Sequence, residues 1–112
     1  MKLVEAIIKP EKLDAVLAAL TEIGYPGITI TEVRGHGKQK GVTHQWRGNE
    51  YTVTFIPKIK VEVVVLDEDL NRTLDVFVRK CRTGSIGDGK LFVLDVEQSV
   101  RVRTGDVGIK AI

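Results

Sequence analysis

The sequence predicts a small α+β domain in which two helices cover one face of a four-stranded sheet. Three observations predict this fold: apolar, strand-like runs alternate with segments of helical spacing, both halves of the chain follow the order strand, helix, strand, and a faint internal repeat is present. In that repeat, Val4-Glu5 recurs as Val61-Glu62, and Leu13 recurs as Leu70 at the same offset. We therefore expect two related βαβ halves.

The first half begins with residues 2–9, which are apolar nearly throughout and read as a strand. Pro10 then opens a helix that ends before Gly24, because proline is favoured in a first helical turn and glycine after the last. The apolar residues at helical spacing are Leu13, Val16, Leu17, Leu20 and Ile23. Residues 28–34 are rich in β-branched side chains and predict the second strand.

In the second half, residues 59–66 predict a strongly apolar strand, and Asp67 and Asp69 are possible caps of the helix that follows. The apolar stripe of that helix consists of Leu70, Leu74, Phe77, Val78 and Cys81. Residues 91–96 and 99–103 are predicted to complete the strands. Residues 35–57 are too long for a turn, and residues 51–55 inside them predict a short hairpin arm suited to partner binding.

Both faces of the predicted sheet are apolar, because Val4 and Ile8 alternate with Leu3 and Ile7. Two helices can cover only one face. We expect the second face to meet another subunit; the alternative is that the C-terminal segment covers it.

Composition limits the classes of function. The chain has 112 residues, 43% apolar and 29% charged, which fits one domain with a core. A net charge of +2 and 5% aromatic residues do not predict nucleic-acid binding. The single cysteine excludes an internal disulfide, and neither a signal peptide nor a membrane-spanning run is visible. We expect a cytoplasmic protein that is not inserted in a membrane.

Residues 84–90 nearly match the phosphate-binding pattern G-x-x-x-x-G-K-[ST], with Gly84, Gly89 and Lys90 in place. Leu91 replaces the hydroxyl residue that holds magnesium, and a helix precedes the loop where a strand should. The loop can therefore cradle phosphate, but not as a P-loop NTPase. A glycine-rich helix-to-strand connection is the alternative.

Arg101 and Arg103 are predicted on one face of the last strand, with Val100 and Val102 packed inward, because side chains alternate along strands. Two guanidinium groups suit a polyphosphate, although an edge strand with solvated arginines remains an alternative. A second basic cluster lies at the base of the long loop and could bind a carboxylate or phosphate, or simply be solvated. It consists of Lys38, Lys40 and Lys58, with Gln39 between the first two.

Other reactive residues do not form a catalytic set. His36 and His44 lack zinc-ligand spacing, and Cys81 falls on the apolar stripe, where a buried structural thiol is expected. No nucleophile, base or carboxylate pair is visible, so turnover is not supported. An enzyme acting on a phosphorylated metabolite and a nucleic-acid-binding module remain the competing interpretations.

Residues 46–51 and 83–92 resemble the two signatures of the PII nitrogen-regulatory signalling proteins. Further matches occur in family order across nearly the whole chain, at residues 7–10, 35–41, 55–58 and 101–105. The resemblance implies a single domain over residues 1–112, with a ferredoxin-like βαββαβ fold that assembles as a homotrimer. It also implies a T-loop at about 36–56 between strands 2 and 3, a B-loop at about 82–90, and a C-terminal strand and loop at about 99–112.

The resemblance further implies that ATP or ADP binds between neighbouring subunits and that 2-oxoglutarate binds beside MgATP. The implied ATP and ADP residues fall into two groups, with Gly37 as a further member. Those around the nucleoside are Ile7, Thr29, Glu62 and Val64. Those at the phosphates are Lys38, Gly87, Asp88, Gly89, Lys90, Arg101 and Arg103. Those implied for 2-oxoglutarate are Gln39, Lys40, Gly41 and Lys58, with Gln39 also contacting Mg²⁺.

The implied partners are an Amt-family ammonium channel, contacted by Arg47, or the enzymes that control glutamine synthetase. A channel partner would recruit the protein to the membrane. Tyr51 stands where many bacterial relatives are uridylylated. The chain departs from the family at Trp46, which replaces a tyrosine, and at Asn49, which excludes the serine phosphorylation of some relatives. Lys38 replaces a common arginine and keeps the charge without bidentate geometry.

Overall fold

The computed structural model describes residues 1–37, 43–46, 49–52 and 55–112, with side chains for residues 1–37 and 55–112. The strands are β1 Lys2–Ile8, β2 Thr29–Gly35, β3 Thr43–Trp46, β4 Asn49–Thr52, β5 Ile56–Val65 and β6 Gly89–Asp95. The helices are α1 Leu13–Glu22 and α2 Leu70–Cys81, and single 3₁₀ turns occupy Pro10–Lys12, Asp67–Asp69 and Gly108–Ala111.

A four-stranded antiparallel sheet has the order β2-β5-β1-β6. Strand β1 lies in its centre, where Val4 is paired with Val63 on one side and Val93 on the other. Each βαβ half contributes one central and one edge strand. The predicted α+β, ferredoxin-like βαββαβ fold is confirmed.

The core lies between the two helices and one face of the sheet. Alternate residues of β1 and β5 point into it, as the period of two requires. The fully buried members include Val4, Ala6, Ile8, Val16, Leu20, Val61, Val65 and Phe77. Within the described residues, no helix is both long and apolar enough to cross a membrane.

The opposite face of the sheet is covered by neither helix. Leu3, Ile7 and Val64 on this face are partly buried, whereas Phe92 is 49% and Leu94 47% exposed. We call this surface the open face. The open face agrees with the prediction that both faces of the sheet are apolar. That another subunit covers the open face stays a prediction.

The hairpin inside the long loop differs from its predicted position. Strand β3 pairs with β4, with Thr43 opposite Thr52 and Trp46 opposite Asn49. The prediction of an arm over residues 51–55 was therefore wrong in its bounds. Only Tyr51 and Thr52 of the predicted arm take part in the pairing, which otherwise uses residues earlier in the chain.

The strand predicted at residues 99–103 was also wrong. Only an isolated bridge between Val100 and Val107 forms there, and the N–H groups of Arg101 and Gly105 bond across a turn to Asp106 and Arg101 respectively. Val102 is 99% exposed, so the predicted inward packing of the valines is wrong as well. The turn folds the chain back on itself before a strand can form.

The two aspartates proposed as caps of α2 do not cap it with their side chains. The Asp67 carboxylate accepts a hydrogen bond from the N-terminal ammonium of Met1 at 2.8 Å, and this charge lowers the pKa of Asp67. Asp69 instead accepts hydrogen bonds from the Tyr25 hydroxyl and the Arg72 guanidinium. Met1 and Tyr25, which are distant in sequence, and Arg72 in the first turn of α2 thus occupy these carboxylates in place of capping.

Candidate functional site

The glycine-rich loop between α2 and β6 has a conformation that depends on its glycines. Gly84, Gly87 and Gly89 have φ angles of 87°, 101° and 110°, in the region that side chains strongly disfavour. At Gly89 a second constraint applies, because a Cβ atom would lie 1.8 Å from the carbonyl oxygen of Ile7. The third and last of these glycines therefore lets the loop join β6 tightly against β1.

Asp88 fastens the loop from within. Its carboxylate accepts hydrogen bonds from the N–H groups of Thr83 at 2.7 Å and Gly84 at 2.9 Å, and from the Thr83 hydroxyl. The ammonium of Lys9 lies 3.2 Å from the same carboxylate. Chiefly because of the Thr83 hydrogen bonds, the pKa of Asp88 is far below its usual range. The Asp88 side chain therefore holds the glycine-rich loop together. A phosphate bound by this loop would have to contact its backbone atoms rather than the Asp88 carboxylate.

Lys58 is the buried cation of the site. Its side chain leaves β5 on the open-face side, and its ammonium donates a hydrogen bond to the carbonyl oxygen of Gly87 at 2.7 Å. Burial, followed by repulsion from Lys9, lowers the pKa of Lys58, while Glu11 and Asp88 oppose this effect. A cation that is partly stripped of water is a favourable partner for an anion.

These parts surround a cavity of about 580 Å³, which we call the loop cavity. Six of the residues predicted to bind ligands line it: Ile7, Gly37, Lys58, Gly87, Gly89 and Lys90. His36 and Phe92 also line it, and the His36 ring lies 5.6 Å from the ring of Phe55. The two ends of the long loop are thus brought together beside the glycine-rich loop.

A second cavity, of about 830 Å³, contains the remaining sheet residues predicted to surround a nucleoside, Thr29, Glu62 and Val64. Leu3 and the C-terminal Ile109 and Ile112 line the same cavity. The C-terminal segment therefore reaches part of the open face. Within one chain, three of the residues predicted to surround a nucleoside therefore lie in this second cavity, whereas Ile7 lies in the loop cavity with the residues predicted to hold phosphate.

Arg101 and Arg103 line neither of these cavities. The Arg101 guanidinium lies 3.8 Å from the carboxylate of Asp106, and Arg103 is exposed. A single copy of the chain does not bring either arginine into the loop cavity. Lys38, Gln39, Lys40, Gly41 and Arg47 lie outside the described residues, as does the side chain of Tyr51.

Sequence reasoning missed Lys9 and Thr83, which hold the loop through Asp88. The threonine could have been found, because a hydroxyl residue followed by an aspartate across a glycine-rich turn is a common hydrogen-bonding pair. Lys9 gave no local signal, since it approaches from a distant strand end. Cys81 is buried as predicted, and burial raises the pKa of its thiol.

The polar groups of the loop cavity are two lysines, His36 and backbone groups. Among the residues whose side chains are described, no cluster of three histidine, cysteine or acidic side chains could hold a metal. The cavity therefore suits a multiply charged anion, and a divalent cation would need ligands from that anion.

The chain is similar to known proteins along nearly its whole length. A family model described as nitrogen regulatory protein P-II matches residues 1–106. The chain is 54% identical to the nitrogen regulatory protein P-II of Rhizobium meliloti strain 1021 and 52% identical to that of Bradyrhizobium diazoefficiens. It is also 52% identical to nitrogen regulatory protein P-II 1 of Escherichia coli strain K12. Each match covers 100% of both chains.

Proposed function

Because the chain belongs to the nitrogen regulatory protein P-II family, we propose that it is a homotrimeric sensor of ATP, ADP and 2-oxoglutarate. The family consists of regulatory signalling proteins, so the chain is a regulator rather than an enzyme. The observation that carries the proposal is the loop cavity, where Lys58 and Lys90 meet a glycine-rich backbone. Such a cavity fits phosphate groups.

Nucleotide binds in a cleft between two copies of the chain. This assignment is supported by the position of Arg101 and Arg103, which lie outside the loop cavity of their own chain. A neighbouring copy supplies them, while Lys38 and the backbone of residues 87–90 complete the phosphate contacts. The open face, with Phe92 and Leu94 exposed, provides apolar surface for assembly of the trimer.

The nucleoside lies against the sheet. Thr29, Glu62 and Val64 offer a hydroxyl, a carboxylate and an apolar surface along one cavity, and Ile7 continues that surface on the loop side. Adenine needs this combination, because its ring faces are apolar and its amino group donates hydrogen bonds.

2-Oxoglutarate binds beside the triphosphate, with one carboxylate at Lys58 and the remainder held by Gln39, Lys40 and Gly41. The desolvated Lys58 ammonium supports this role, because a carboxylate would compensate for its burial. Mg²⁺ is held by the ATP phosphates and the Gln39 side-chain oxygen, which agrees with a cavity lined by lysines rather than acids. The cation would neutralise phosphate charge and bring the organic acid close to it.

The T-loop transmits the ligand state of the protein to its partners. Ligands with different affinities for its conformations change which conformation a partner meets. Arg47, between β3 and β4, contacts an Amt-family ammonium channel, and the enzymes that control glutamine synthetase are the alternative partners. Tyr51 is the candidate uridylylation site. We place the protein in the cytoplasm, with recruitment to the membrane through the channel.

Calorimetric titration with ATP and with ADP, combined with an assay for nucleotide turnover, tests the proposal. We expect both nucleotides to bind with negligible turnover, and Lys90→Ala to weaken binding by about tenfold or more, as loss of one charge-assisted contact would. Lys80→Ala, a change of an exposed lysine on α2, is the matched control. Sustained hydrolysis that disappears in Lys90→Ala would favour the enzyme acting on a phosphorylated substrate.

A further inference from the structure

A separate cavity of about 290 Å³ lies on the helix side of the sheet, between the C-terminal end of α2 and strand β6. Its walls are mainly apolar and consist of Ile8, Phe77, Val78, Cys81 and Leu91. Ile8 and Phe77 are fully buried, whereas Val78 is 39% exposed at the surface. The volume is close to the lower end of small-molecule pockets, about 300 Å³. It therefore suits a short hydrocarbon group.

One cation, Arg82 at the end of α2, lines the same cavity. Lys90 also borders it, but Lys90 is paired with Ile7, so its side chain lies on the open face. Arg82 is exposed, and across the part of the chain whose side chains are described it forms no ion pair or side-chain hydrogen bond. Asp88 also lines the cavity, but its carboxylate is already bonded to Thr83, Gly84 and Lys9.

We propose that this cavity binds a small amphipathic carboxylate, whose hydrocarbon chain lies between α2 and β6 and whose carboxylate meets Arg82. Burial of the chain against apolar walls supplies the affinity, and the guanidinium supplies a bidentate partner for the carboxylate. The cavity is on the opposite side of the sheet from the open face. It therefore remains accessible in a trimer that assembles through the open face.

The chain contains one cysteine, which makes the site directly observable. Cys81 lines the cavity and is 7% exposed, so an occupant should slow its alkylation by iodoacetamide. The experiment uses the full chain without nucleotide and the series butanoate, hexanoate and octanoate, with calorimetry to measure affinity. We expect protection to increase along the series, with affinity rising about fourfold for each methylene until the cavity is full.

Octanol distinguishes a carboxylate site from simple partitioning into an apolar gap. We expect octanol to protect Cys81 much less than octanoate. Equal protection by the two compounds, or no protection by any member of the series, would overturn the proposal. Because nucleotide is absent, either result is independent of whether ATP binds.

Two variants locate the contacts. Arg82→Gln should weaken octanoate binding by about tenfold, the effect of losing one charge-assisted hydrogen bond, whereas Arg79→Gln on the same helix should not. Val78→Trp fills the cavity from its exposed edge and should abolish protection while leaving the melting temperature close to that of the unchanged protein. Octanoate affinity that is equal in Arg82→Gln and Arg79→Gln, or that survives Val78→Trp, would contradict the assigned site.

Discussion

Gly89 faces Ile7 so closely that a Cβ atom on the glycine would lie 1.8 Å from the Ile7 carbonyl oxygen. The two residues belong to adjacent strands, where Ile8 is paired with Gly89. The glycine-rich loop therefore ends against the backbone of β1, and this close approach requires that residue 89 have no side chain. The glycine that matters for packing is also a member of the proposed phosphate site.

Gly89→Ala should destabilise the protein by about 3 kcal/mol or more, because the new methyl group meets backbone that cannot rotate away. Gly84→Ala is the matched control: its φ of 87° also disfavours a side chain, but nothing lies within 4 Å. We expect the control to cost only about 1 kcal/mol. Urea unfolding monitored by circular dichroism measures both, and equal losses would contradict the assigned contact.

Asp88→Asn should loosen the glycine-rich loop. The substitution removes the charge that faces Lys9 and weakens the hydrogen bonds to Thr83 and Gly84. Amide hydrogen exchange at these two residues should become about tenfold faster, with little change in the core. Exchange that stays at the original rate would show that another contact holds the loop. Asp75→Asn, an exposed acid on α2, controls for the loss of charge.

The same carboxylate gives the loop a pH dependence with a defined sign. The folded-state pKa of Asp88 is below its unfolded value, so its contribution to order is fully present above the ordinary aspartate pKa. That contribution is lost as pH falls through the depressed folded value. Loop exchange protection in the unchanged protein should therefore decline only in strong acid, and the decline should be absent in Asp88→Asn.

Lys58→Met should weaken 2-oxoglutarate binding by about tenfold or more, while changing the stability of the ligand-free protein by about 1 kcal/mol or less. The lost hydrogen bond to Gly87 is offset by relief of a buried charge. Lys60→Met on the same strand is the control. Parallel loss of stability and binding would indicate a structural role for Lys58 instead.

Lys58 also has a predicted pH signature. Its folded pKa is below the unfolded value of 10.5, so the unfolded chain binds more protons between the two values. Stability should therefore rise with pH in that window, and the rise should be smaller in Lys58→Met than in Lys60→Met. This difference separates Lys58 from the other lysines that titrate in alkali.

The regular elements were predictable because their patterns are local. Alternation in β1 and the apolar stripe of α2 both depend on residues a few positions apart, and the structure contains both elements. The family motifs identified the glycine-rich loop and six residues of the loop cavity. The conclusion that the chain is a regulator, not an enzyme, is confirmed by its family.

Two kinds of feature were not predicted correctly: a local turn, and contacts with residues distant in sequence. The alternation at residues 99–103 is typical of a strand, but a turn with Gly105 at a φ of 73° reverses the chain after one bridge. Asp69 resembles a cap, yet Tyr25, far away in sequence, takes its carboxylate. The Asp88 carboxylate also contacts Lys9, and no local sequence pattern indicates that these two residues are neighbours.

A mixing experiment tests whether the arginines come from a neighbouring copy. Lys90→Ala and the double variant Arg101→Ala, Arg103→Ala should each lose nucleotide affinity alone. In trimers reassembled from equal amounts of the two variants, about a quarter of the clefts should bind nucleotide again. Each such cleft combines the intact Lys90 of one chain with the intact arginines of a neighbouring chain. No recovery in the mixture would place both groups in the same chain.

The most direct measurement is calorimetric titration of 2-oxoglutarate with and without MgATP. The loop cavity offers Lys58 to a carboxylate, but the proposed site is completed only by nucleotide phosphates and Mg²⁺. We predict binding in the presence of MgATP and none in its absence. Equal binding in both conditions, or no binding in either, would contradict the account.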